Sequence, residues 1–207
     1  MYPLTSLRSS ILLLLTVLLA GCAATRSVME WQDEAYSDTL NNILVIAAVD
    51  DITVRHSLED AYSDKFASMS LRATPGYTLI ANDLPLSRET VETAIAGKHL
   101  DAVLVTRLLG VEEVEEYQPP GSIDYYRGYH RYYVHSMTVS SPGYYRKYKV
   151  LTLETNLYDT RTGKLVWSMQ SESIDSSAPQ ELIDAQIALT VERLLARGLL
   201  APAEKAE

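Results

Sequence analysis

Asn41-Asn42-Ile43-Leu44-Val45-Ile46-Ala47-Ala48-Val49-Asp50-Asp51 decides the fold of this chain. Seven apolar residues run without a break between two amides and two acids. A short continuous apolar run bounded by polar pairs is the mark of a strand covered on both faces. Working outward, Val54, Leu58, Ala61, Tyr62, Phe66 and Met69 fall on one helical stripe. Pro75-Gly76 marks a turn, and Tyr77-Thr78-Leu79-Ile80 is read as a second, shorter strand. Ser87 after Pro85 is a good N-cap, Glu89 lies in the first turn, and Val91, Ala94 and Ile95 give the next helix its apolar face, ending at Gly97 or Lys98. Ala102-Val103-Leu104-Val105-Thr106 is a third strand. The order strand, helix, strand, helix, strand implies parallel strands joined by right-handed crossovers, with helices covering the sheet.

The pattern then changes. Val111 to Tyr117 is acidic and is expected to extend an edge strand. Val150 to Tyr158 alternates apolar and polar, Asp159-Thr160-Arg161-Thr162-Gly163 is a tight turn, and Lys164 to Ser173 answers as a second strand. This long hairpin needs a positive φ at its turn, which Gly163 supplies. Ser177-Ala178-Pro179-Gln180 is a capping-box start. The closing helix carries Ile183, Ile187, Val191, Leu194 and Leu195 on one stripe, with Arg193, Arg197 and Gly198 suited to its C-terminal end. The expected fold is therefore α/β with a mixed sheet of about five or six strands and about three helices, over residues 42–200. A Tyr-rich insert at 118–147 precedes the C-terminal hairpin, and residues 201–207 form a tail.

The hairpin stretch Leu157 to Ser168, with its acidic residue, Thr-Gly turn and Trp-Ser strand, resembles one found in small bacterial envelope lipoproteins. With Ile43 to Asp51 and Asp101 to Thr106 in the same order, the layout is similar to the amino-terminal domain of the Tol-Pal β-propeller protein. It also resembles the periplasmic domain of the curli secretion channel lipoprotein. That resemblance implies a fold and an envelope setting, not an activity.

Upstream, Arg8 precedes the apolar run Ile11 to Ala20, which is about half the ~20 residues a spanning helix needs. This is a secretory signal peptide, residues 1–21. Its ending, Leu19-Ala20-Gly21-Cys22, resembles the lipobox of bacterial lipoproteins. The resemblance implies cleavage before Cys22, and a covalent diacylglycerol and N-acyl chain (palmitate in kind) on Cys22. Cys22 is the only cysteine, so no internal disulfide competes for it. Ala23 in the next position, by analogy with enterobacterial sorting, points to the periplasmic face of the outer membrane. Residues 22–41, polar and without clear periodicity, are read as a lipidated tether with a short helical piece around Trp31 to Tyr36. The released chain would hold 17 basic residues against 27 acidic. That balance excludes nucleic acid as a partner, because phosphate binding rests on Lys and Arg.

Nine of the fourteen tyrosines fall from Tyr117 to Tyr148, in and beside the insert. Tyr125, Tyr126, Tyr129, Tyr132, Tyr133, Tyr144 and Tyr145 are interleaved with Arg127 and Arg131. Tyrosine buries its ring while its hydroxyl stays satisfied, and arginine stacks on such rings. These residues are expected to contact an envelope protein partner, a second copy, a glycan or the membrane interface. A membrane-crossing hairpin is disfavoured, since neither arm alternates cleanly. Catalytic signatures are sparse. His56, His99, His130 and His135 lack ligand spacing, and no Gly-rich phosphate loop or nucleophile elbow occurs. The Glu112, Glu113, Glu115, Glu116 run is read as a solvated face. The expectation is a non-catalytic lipid-anchored protein with no cofactor beyond its acyl chains and no metal. The alternative is a periplasmic small-ligand-binding protein or enzyme with a site near Asp50, Asp51 and Arg107, at the C-terminal end of a parallel strand.

Overall fold

The computed structural model describes residues 25–119, 122–125, 137–140, 143–174 and 179–201. Its centre is β2 (Asn42–Ala48). Ile43 to Ala47 are at most 1% exposed. Ile43, Val45 and Ala47 point into one core, Leu44 and Ile46 into another on the opposite face. The unbroken apolar run thus has the cause inferred from it.

β2 lies between β3 (Arg72–Pro75) and β4 (Ala102–Gln118), parallel to both. β7 (Tyr144–Asp159) pairs antiparallel with β4, β8 (Leu165–Ile174) with β7, and β1 (Thr25–Gln32) with β8. The sheet is mixed and six-stranded, in the order β1-β8-β7-β4-β2-β3. Helices α1 (Ile52–Ala67) and α3 (Pro179–Ala196) cover one face through Leu58, Tyr62, Phe66, Ile187, Val191 and Leu194. Helix α2 (Arg88–Ile95) covers the other face only over β2 and β4, through Val91, Ala94 and Ile95. A separate pair, β5 (Ser122–Tyr125) and β6 (Met137–Ser140), forms a small hairpin. The α/β mixed sheet with three helices is as expected. Gly163 and Gly198 take the positive φ their turns require, at 67° and 71°.

Three boundaries differ from expectation. First, residues 25–32 are not tether: they form β1 and close the sheet edge, with Thr25 opposite Ser173 and Gln32 opposite Trp167. A bulge between Ser27 and Met29 breaks the period-two pattern, and the residues facing α3's side are polar (Thr25, Ser27, Glu30), so the strand carried no apolar alternation. Trp31 to Tyr36 is likewise the end of that strand and a turn rather than a helical piece. Second, the strand after α1 is Arg72–Pro75, and Gly76–Thr78 is a 3-10 turn. Pro75 lacks the N–H to continue a ladder, and Gly76 sits so close to β2 that a Cβ there would lie 2.8 Å from the Val45 carbonyl oxygen. Third, the insert is shorter. Tyr144 to Lys147 belong to β7, and Gln118 pairs with Tyr144, so the excursion from the ladder covers residues 119–143. On α1, Val54 is exposed rather than part of the buried stripe.

Candidate functional site

β4 and β7 outrun the rest of the sheet. β2 accompanies β4 only to Arg107, and β8 accompanies β7 only from Val150. Beyond those rows the two strands continue alone as a ribbon, Glu113–Gln118 against Tyr144–Lys149. The acidic run finds its partners across this ribbon: Glu113 stands opposite Lys149, Glu115 opposite Lys147 and Glu116 opposite Arg146. Glu115 and Lys147 are 3.5 Å apart. Such pairs hold register more than they add stability, because each is exposed. The Glu run is therefore half of a charge ladder.

At the ribbon's end the aromatic residues collect. Tyr117 and Tyr145 are opposite each other with ring centroids 5.1 Å apart, and the Arg146 guanidinium lies 5.8 Å from the Tyr148 ring. Tyr117, Tyr144 and Tyr145 are 52%, 61% and 64% exposed. Gly143 makes room for the Tyr117 ring, whose hydroxyl would sit 2.2 Å from a Cβ there. Of the expected contact residues, Tyr144 and Tyr145 are therefore placed, and both are exposed. Tyr125 ends β5. Tyr126, Arg127, Tyr129, Arg131, Tyr132, Tyr133 and the lipid-attachment residue Cys22 lie outside the described residues, as do His130 and His135.

The alternative site has its side chains committed elsewhere. Asp51 caps α1, accepting from the Thr53 and Val54 N–H groups at 2.8 and 3.0 Å. Arg107, on the same face of β4 as Val103 and Val105, is exposed and donates to Glu154 at 2.6 Å. That hydrogen bond holds the Glu154 carboxyl below its ordinary value despite partial burial. Asp50 is exposed beside them. A cleft of about 530 Å³ opens instead where Tyr36, Asp38, Asn41, Asp101, Asp159 and Arg161 meet. Its acids brace turns: Asp101 accepts from the Asn41 and Asn42 N–H groups at 2.9 Å, and Asp159 accepts from the Thr162 N–H at 2.7 Å. Burial and the Asp159 carboxylate push the Tyr36 hydroxyl up to about 12. Among the described residues no three His, Cys, Asp or Glu side chains come together as a metal site.

Two buried polar arrangements escaped the sequence reading. Glu59 is fully buried. Its Oε1 accepts from the Ala47 N–H at 2.9 Å and from Arg55 Nε at 3.1 Å, and its Oε2 accepts from the Tyr77 N–H at 2.7 Å. One carboxylate thus ties the end of β2 and the Gly76 turn to α1. Further along, Ser171, Gln186, Thr155, Thr190 and Tyr62 form a chain of hydrogen bonds between the sheet and the two helices, from 2.7 Å for Ser171 to Gln186 up to 3.4 Å for Gln186 to Thr190. The side chains of both arrangements are buried. At the sheet edge, Glu30 accepts from Trp167 Nε1 at 2.9 Å and Arg197 Nε at 2.8 Å. Burial raises the Glu30 carboxyl, but those two donors outweigh it and the group lies below its ordinary value. The outer side of β1 pairs with no strand among the described residues, and Val28, Met29 and Trp31 are exposed there.

No protein-family model and no curated protein matches the chain. Solved structures give distant likenesses. A PelC dodecamer from Paraburkholderia phytofirmans is 12% identical, with 86% of this chain and 99% of that one covered and a TM-score of 0.45. Lipoprotein GNA1162 from Neisseria meningitidis is 14% identical, with 75% and 99% covered and a TM-score of 0.41. A PDZ domain protein from Parabacteroides distasonis is 8% identical, with 91% and 40% covered and a TM-score of 0.38. The resemblance to the Tol-Pal and curli proteins is not shown.

Proposed function

We propose that the chain is a non-catalytic, lipid-anchored envelope protein on the periplasmic face of the outer membrane, acting there as an interaction or assembly module. Cys22 would carry the lipid, and the partner would be another envelope protein or a second copy. One observation carries this reading: among the described residues the sheet is already formed at Thr25, three residues after Cys22 of the lipobox-like Leu19-Ala20-Gly21-Cys22. β1 is held through Thr25 to Ser173 (2.7 Å) and Arg26 to Glu172 (2.8 Å). Acyl chains on Cys22 would therefore hold the folded body against the membrane rather than at the end of a long leash. At about 0.8 kcal/mol per buried methylene, two or three chains suffice where one does not. No helix among the described residues is long and apolar enough to cross a membrane itself. The commitments of Asp51 and Arg107 described above weigh against the ligand-binding alternative.

Cys22→Ala tests this. In cells making the variant, the protein should leave the membrane fraction and appear in the soluble periplasm with its fold intact by circular dichroism. A variant that remains with membranes after its signal is removed would rule the anchor out.

A further inference from the structure

The lipid-attachment end and the ribbon leave the sheet on the same side. Thr25 pairs with Ser173, Ser173 with Leu151, and Leu151 with Val111, so these four residues form one row across the sheet. From that row β1 continues backward toward Cys22, while β4 continues forward to Gln118. The ribbon thus extends seven residues past the row, roughly 23 Å at ~3.3 Å per residue. Cys22 stands three residues from Thr25 and, whatever path those residues take, can reach no more than about 11 Å from it. A ribbon aligned with the membrane normal would overshoot the acylated cysteine by roughly 12 Å. The headgroup layer on one side of a bilayer is only about 5–8 Å deep.

A two-stranded ribbon cannot continue into hydrocarbon, because its outer N–H and C=O groups would lose water without gaining partners. A lean of the body removes that conflict and allows the ribbon's end to rest among the headgroups. The composition there fits that position. Tyr117, Tyr144 and Tyr145 are exposed, and tyrosine favours the boundary where its ring is half out of water. The ribbon and its adjoining row, residues 111–118 and 144–151, carry four Glu against Arg146, Lys147 and Lys149. The whole chain is at −9. The nearly balanced ribbon can approach an anionic surface that repels the rest.

We propose that the end of the β4–β7 ribbon is a second membrane contact, with Tyr117, Tyr144 and Tyr145 seated in the headgroup layer of the bilayer that holds Cys22. The proposal rests on the anchoring reading above, and its test separates the two.

The full chain is purified from membranes and reconstituted into vesicles of phosphatidylethanolamine and phosphatidylglycerol. Because Cys22 is the only natural cysteine and acylation blocks it, Tyr145→Cys places a single reactive thiol at the ribbon's end. Lys164→Cys places one on the turn at the opposite end of the sheet. Each takes an environment-sensitive fluorophore. The label at position 145 should shift to the blue, brighten severalfold on reconstitution and be quenched by lipids brominated near the headgroup. The label at position 164 should do neither. Three results would overturn the proposal. If the protein floats with the vesicles but both labels behave as in water, the anchor stands and the second contact does not. If a second label enters at Cys22 and the protein fails to float, the anchoring reading falls and this proposal with it. If the label at position 145 is already shielded without vesicles, increasingly so with protein concentration, the tyrosines face a second copy of the chain.

Discussion

Replacing Glu59 should nearly unfold the protein although the residue touches no solvent-facing site. The carboxylate is 0% exposed and serves Arg55, the Ala47 N–H and the Tyr77 N–H at once. Glu59→Ala leaves Arg55, itself 5% exposed, as an uncompensated buried cation, a change that costs about 3–5 kcal/mol. It also strands two backbone donors, at about 1–3 kcal/mol each where water cannot enter. Partial relaxation and water entry will reduce the sum, but a loss of at least about 4 kcal/mol is large against a total of about 5–15 kcal/mol for a domain. Glu59→Gln should cost less, about 2–3 kcal/mol, because the side-chain oxygen can still serve one donor while its NH₂ faces another. Arg55→Met should fall between the two, at about 3–5 kcal/mol, since it leaves the buried Glu59 carboxylate without its cation while both backbone N–H groups keep their acceptor. The assay is urea unfolding followed by circular dichroism on the three variants and the parent. A Glu59→Gln variant within about 0.5 kcal/mol of the parent, or an Arg55→Met variant less stable than Glu59→Ala, would refute the assignment of Glu59 as the tie between β2, α1 and the Gly76 turn.

Three further outcomes follow from the same geometry. Gly76→Ala should lower stability by about 1–3 kcal/mol, because its Cβ would press the Val45 carbonyl at 2.8 Å and Glu59 Oε1 at 3.3 Å; a thermal midpoint equal to the parent's would contradict this. Glu30, Glu154 and Asp159 all lie below their ordinary values of 4.5, 4.5 and 3.8. Their contribution is therefore complete above those values and is lost as pH falls through the lower folded ones. The thermal midpoint should fall on acidification below about pH 4.5, and Glu30→Gln should flatten that limb; an unchanged slope would remove Glu30 from the account. Finally, joining Gln118 to Tyr144 by Asn-Gly in place of residues 119–143 should close the ribbon as an ordinary hairpin, since these two residues are already paired. The midpoint should move by less than about 2 °C, whereas a large drop would show that the excised segment supports the core.

How much of this was legible depended on whether a feature is local. Ile43 to Val49 declared itself because burial on both faces leaves no room for a polar residue. The hairpin turn declared itself through Gly163, whose positive φ few other residues tolerate. β1 did not, because a bulge and a polar inward face remove the two signals a strand normally shows. The charge ladder was hidden for a different reason. Glu115 and Lys147 are neighbours only once the register of β4 and β7 is set, and the excursion between them conceals that register. β3 is four residues long and ends on Pro75, so the more apolar Tyr77 to Ile80 drew the assignment, although Tyr77 spends its N–H on Glu59. A signal for that tie was present: Arg55 and Glu59 are four residues apart, set within the apolar stripe rather than opposite it. At the candidate interface Tyr144 and Tyr145 were identifiable from composition, but their position on a ribbon leaving the sheet at the same end as Thr25 required the topology.

The proposed anchoring depends on acyl chains at Cys22, and mass spectrometry of the amino-terminal peptide of membrane-extracted protein tests it most directly. The account predicts a chain that starts at Cys22 and carries both a diacylglycerol on sulfur and an acyl group on the terminal nitrogen. A chain that retains the segment before Cys22, or one whose Cys22 bears a free thiol, would contradict it.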